Sequence, residues 1–268
     1  MEEPARTLYA RHQLPEKYSK YSKCSNLSDG YRYGLRPIDE TVSANKNEVP
    51  MSHWITMVTP HGPMNGWSAE PDDKPVGGVV LVHEIFGVND DMCRIAERYA
   101  ENGYLTVTPA LFDKIQREVE LGYGPEDILL GGRLASEIGL ETAAELVATT
   151  VDAIAHAGKV AIIGYGWGGA VALRAAQALS VPCIVYHCAQ DVFGPEGQTN
   201  IPILVHSSIS PLGSEHLLRE RAPNLQVLTY PAENGFYRAG DTQRHHPESV
   251  DLAMRKSLEF LRAHIRED

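Results

Sequence analysis

No stretch of this chain approaches the roughly 18 consecutive apolar residues that cross a bilayer, so no membrane-spanning helix is expected. Basic charge is short as well. Lys and Arg number 24 against 35 Asp and Glu, a formal net charge of −11, which argues against nucleic acid as a partner. Cysteine is scarce. Cys24, Cys93, Cys183 and Cys188 form no CxxC pair and no metal-ligand spacing. They read as reduced thiols of a cytoplasmic protein rather than a disulfide framework. The opening residues Met1–Arg6 lack a basic-then-apolar leader pattern. Neither a cofactor nor a metal is expected.

What is present is ordinary for a globular protein: 43% hydrophobic and 22% charged residues in a chain of 268, long enough to bury a large core. From His53 onward short apolar runs alternate with helical patterns. Expected strands cover 53–59, 64–69 (a hairpin partner), 79–83, 104–108, 160–163, 181–186, 201–206 and 225–230. Expected helices cover 90–102, 135–156, 169–179, 213–221 and 247–264, with 112–132 as loop or short helix. Strands alternating with helices imply an α/β fold with a mostly parallel sheet and helices on both faces. Ligands in such sheets sit beyond the carboxyl ends of the strands.

The chain is organised around Lys159-Val-Ala-Ile-Ile-Gly-Tyr-Gly-Trp-Gly-Gly-Ala170. A β-branched run feeds Gly164-Tyr165-Gly166-Trp167-Gly168, the frame of a G-x-S-x-G nucleophile elbow. A dinucleotide loop has a similar look. It belongs on a first strand, however, with an acidic residue about 20 positions on, and neither condition holds here. The elbow's central place is Gly166, which has no side chain to attack with.

At Val82-His-Glu-Ile-Phe-Gly-Val-Asn89 the sequence resembles the dienelactone hydrolase family of α/β-hydrolases, in which a strand ends in H/Q-E-I-F-G-x-N and the elbow reads G-Y-C-x-G-G. The resemblance covers about residues 52–264. It implies an α/β-hydrolase-like fold, a Cys/Asp/His triad, and oxyanion-hole amides at Ile85 and Trp167. Carried onto this chain, the Cys place is Gly166. The Asp loop after His206 reads Ser207-Ser-Ile-Ser-Pro-Leu212, without a carboxylate. The His place in Ala232-Glu-Asn-Gly-Phe236 is Asn234. Glu84 is kept, and Arg238 stands where the family binds a substrate carboxylate. The implied pocket is Glu84, Ile85, Phe86, Gly166, Trp167, Asn234 and Arg238. Covalent acyl transfer needs nucleophile, base and orienting group together, and an oxyanion hole alone cannot deliver it.

His187 and Cys188 end the strand beside the elbow and, with Glu84, offer a rebuilt thiol, base and carboxylate. The plainer reading is a buried thiol and a strand-end imidazole. His83, Glu84, His187 and His206 as a metal set is weaker still, because His83 and His206 occupy structural places of the family. A kept but buried Glu84 needs a partner, since an unpaired carboxylate costs several kcal/mol. His187 and Arg238 are the candidates.

Residues 1–50 have no family counterpart. They carry five of the 12 tyrosines (Tyr9, Tyr18, Tyr21, Tyr31, Tyr33) and a near-neutral balance of eight basic against seven acidic residues. A polar, Tyr-dotted segment is either disordered or laid along a surface. The expectation is a two-part chain: an arm over 1–50 and a hydrolase-like domain over 51–268. It is expected to serve as a non-hydrolytic accessory subunit, with the arm reaching other protein subunits or a second copy. The alternative is an enzyme of altered chemistry, using Glu84, His187 and Cys188 on a small carboxylate or lactone.

Overall fold

The computed structural model describes residues 51–187, 199–208 and 222–266. The arm over 1–50, Cys188 and the helix expected at 213–221 lie outside the described residues.

Among the described residues eight strands form one sheet in the order β1-β2-β4-β3-β5-β6-β7-β8. β1 (Met51–Thr59) and β2 (Gly62–Glu70) form an antiparallel hairpin, and β2 joins β4 (Leu105–Pro109) antiparallel. From β4 onward every pairing is parallel: β3 (Gly78–Val82), β5 (Val160–Tyr165), β6 (Cys183–Tyr186), β7 (Ile203–Ser208) and β8 (Leu225–Tyr230). β3, β5 and β6 are buried along their whole length, which is why their sequences read as unbroken apolar runs.

Helix α1 (Asp90–Ala100) starts where Asn89 accepts a hydrogen bond from the Met92 N–H, an N-cap with Asp90 and Asp91 in the first turn. It shares a face of the sheet with the long C-terminal α5 (Pro247–His264), to which Arg98 reaches through Asp251 at 3.3 Å. On the other face α3 (Leu140–Ala153) packs against α4 (Trp167–Leu179).

The single helix expected over 135–156 is instead two. Helix α2 (Pro125–Ile138) begins with Pro at its first turn, inside the stretch expected to be loop or short helix, and α3 follows after Gly139. Gly139 has φ 71° and ψ 161°, which no helical residue adopts. The apolar period runs on through Leu134, Ile138, Ala143 and Leu146, all buried. Periodicity alone therefore hides the break. β5 and β7 each run two residues beyond their expected ends, to Tyr165 and Ser208.

Candidate functional site

The site lies at the carboxyl ends of β3 and β5. β5 stops at Tyr165, Gly166 takes φ 51° and ψ −118°, and α4 begins at Trp167. This is the sharp strand-to-helix turn of an elbow, in a conformation that strains any residue with a Cβ. The Gly166 N–H donates to the Tyr186 carbonyl at 2.9 Å. Close packing completes the turn. A Cβ on Gly168 would stand 2.2 Å from the His83 carbonyl oxygen, backbone against backbone. Gly168→Ala is therefore expected to lower stability by about 3 kcal/mol, read as the shift of a urea-unfolding midpoint. A neutral result would mean that the elbow is not locked to β3.

Glu84, at the end of β3, is 7% exposed. Its carboxylate stands over Gly166: a Cβ there would lie 2.8 Å from Oε2 and 3.1 Å from the carboxyl carbon. The space that a nucleophile's side chain would occupy is filled by Glu84. Arg238 holds it bidentately, Nε donating to Oε1 at 2.9 Å and Nη2 to Oε2 at 2.6 Å. Tyr237 donates its hydroxyl to Oε1 at 2.5 Å. Arg238 thus supplies the partner that a buried Glu84 needs, while no bond joins Glu84 to His187 among the described residues.

Arg238 is itself enclosed. Its guanidinium carbon lies 5.0 Å from the Phe86 ring centre, 5.4 Å from Tyr123 and 5.8 Å from Tyr237, and Asp241 is 3.7 Å from Nη1. Burial opposes the guanidinium charge, but the bonds to Glu84 and its negative charge outweigh burial and raise the pKa. Burial, reinforced by the Glu84 charge, pushes the Tyr237 phenol well up, so it remains a donor. Tyr123 is fixed in turn by donating to Asp91 at 2.5 Å, and Asp91 accepts the Gly240 N–H at 2.9 Å. The hollow beside this cluster is about 10 Å³, room for about one water.

Phe86 is buried and Ile85 half-buried at the turn after Glu84. Trp167 stacks on Phe112 at 5.6 Å and 27°. As the first residue of α4 its N–H has no carbonyl one turn back. Asn234 is exposed in the turn that carries Phe236, Tyr237 and Arg238 inward. His187 has φ 51°, unusual for a residue with a side chain, and its Nδ1 has no hydrogen-bond partner among the described residues. Burial lowers its pKa, against the pull of the Glu84 charge. His206, fully buried, bonds to Tyr230 at 2.8 Å and Ser257 at 2.9 Å. Among the described residues no cluster of three or more His, Cys, Asp or Glu is placed to hold a metal.

Tyr237, Tyr123, Asp91 and Asp241 were not legible as site residues. Tyr237 stands next to Arg238 and Tyr123 sits between two glycines, but neither spacing names a role.

The mostly parallel sheet with its helices has counterparts in known proteins. A Synechocystis protein named as a carboxymethylenebutenolidase is 33% identical over 39% of this chain and 45% of its own length. An Escherichia coli K12 protein of the same name is 24% identical over 87% of this chain and 94% of its own. A solved Klebsiella pneumoniae structure described as a dienelactone hydrolase superposes with a TM-score of 0.66 at 20% identity, covering 79% of this chain and 98% of that one. The model of the dienelactone hydrolase family matches residues 64–265, three quarters of the sequence, and the chain belongs to that family.

Proposed function

We propose that this chain is a dienelactone hydrolase-family protein that does not perform covalent acyl transfer and acts as an accessory subunit. One observation carries the reading. Gly166 offers no nucleophile, and the Glu84 carboxylate stands in its place, held by Arg238 and Tyr237. A substrate carboxylate would have to displace Glu84 from Arg238, exchanging one bidentate ion pair for another with no net gain. The related proteins carry hydrolase names, so the family's activity is the reading this one opposes.

Restoring the thiol tests it. Gly166→Cys is expected to give no ester turnover, because Asn234 is no base and the Cβ meets Glu84. Robust turnover by that variant would sink the claim that base and orienting group are missing.

The accessory role rests on residues 1–50. Deleting 1–48 is expected to leave the domain's melting temperature unchanged and to remove co-purifying subunits or reduce the oligomer. Unchanged assembly with a lower melting temperature would make the arm a brace for its own domain.

A second reading is favoured by His187. Its positive φ beside an elbow stores strain of about 1–3 kcal/mol, and its Nδ1 has no hydrogen-bond partner among the described residues. It suits acid–base work on a small carboxylate or lactone, with Cys188 as the thiol. Turnover that Cys188→Ala abolishes would favour it over the first reading.

A further inference from the structure

His83 is fully buried at the end of β3, and its two ring nitrogens have different neighbours. The Leu111 N–H donates to Nε2 at 3.2 Å. An N–H aimed at Nε2 requires a lone pair there, so the ring proton sits on Nδ1. Nδ1 lies 2.5 Å from the Glu84 carbonyl oxygen and therefore donates to it. The Gly87 N–H adds a long bond of 3.4 Å to the same oxygen. The ring is held edge-on by Phe112 at 5.0 Å and lies 6.2 Å from Trp167. The peptide that follows Glu84 is planar, and trans like every other among the described residues, so a fixed carbonyl also fixes the Ile85 N–H, which points the opposite way.

From this we infer that His83 is the positioning residue of the elbow. By pinning the Glu84 carbonyl in a single tautomer, it sets the direction of the Ile85 amide and holds the Glu84 side chain over Gly166. The inference rests on the reading of a closed elbow and adds what keeps it closed. A residue in this socket needs a donor and an acceptor on one side chain, which His and Gln have and apolar residues lack.

The test is NMR on the full-length chain. Ring nitrogen shifts of His83 are expected to show a protonated Nδ1 and a bare Nε2. The opposite tautomer would overturn the inference. In His83→Phe the Ile85 N–H vector, read from residual dipolar couplings, is expected to rotate while those of Val80 and Val82 stay. The Arg238 Nε–H is expected to lose its protection from exchange in the same variant. His83→Gln is expected to restore both signals, which a mere space-filling role would not require. An unchanged Ile85 vector in His83→Phe would overturn the inference. If His83→Phe does not fold, the tautomer in the parent and the His83→Gln vector decide. Fast exchange of the Arg238 Nε–H in the parent would instead defeat the closed-elbow reading, and leaves the tautomer result standing.

Discussion

Arg238→Met is expected to lower stability by about 3–5 kcal/mol, the usual cost of stranding one member of a buried ion pair. The pair is well enclosed: side-chain exposure is 13% for Arg238 and 9% for Glu84. Removing the guanidinium leaves the carboxylate, among the described residues, with the Tyr237 hydroxyl as its remaining side-chain partner. It also empties the space between Phe86, Tyr123 and Tyr237. The double variant Glu84→Gln/Arg238→Met removes both charges and is expected to recover much of the loss, because the attraction in such a pair repays little beyond its own desolvation. Urea unfolding of the parent, both single variants and the double variant gives the coupling directly. Additive losses would mean that the two groups do not act as a pair.

Acid is the second sensitive condition. Burial alone lowers His206 from 6.5 to about 3, and burial, partly opposed by the bond to the Glu84 backbone, lowers His83 from 6.5 to about 4. Both are neutral in the folded chain and titrate at their ordinary value when it unfolds. Below pH 6.5 the unfolded state therefore binds more protons, and stability falls as pH drops. The loss continues until pH passes about 4 for His83 and about 3 for His206. Between pH 7 and pH 5 each site is expected to contribute about 2 kcal/mol of loss, about 4 kcal/mol together. Glu97, Glu101 and Asp113, whose pKa values burial raises, act in the opposite sense. A variant comparison is therefore needed: His206→Phe is expected to remove about half of the pH dependence contributed by the two histidines. An identical pH dependence in parent and variant would show that His206 is not held neutral by the fold.

Much of the architecture was written in local sequence, and much of the site was not. Buried parallel strands such as Gly78–Val82 and Val160–Tyr165 announce themselves as apolar runs. The elbow is a local turn, so its glycine frame was legible too. The break at Gly139 was hidden because an isolated glycine inside an apolar period is compatible with a continuous helix. It becomes a break only when tertiary packing sends its backbone to φ 71°. The clamp on Glu84 joins residues 153 and 154 positions apart. No spacing rule links Tyr237 to a carboxylate at that distance, or Asp91 to the Gly240 amide 149 positions on, and only the fold brings them together. Gly166 could be read as a missing nucleophile, but not that Glu84 stands in the vacated space.

Whether this elbow does chemistry is measured directly by steady-state turnover of a chromogenic ester by the purified full-length protein. The expected result is a rate indistinguishable from buffer, unchanged by Cys188→Ala and by Glu84→Gln. Saturable turnover well above buffer that either substitution abolishes would contradict it and place a working nucleophile or base where we find a closed ion pair.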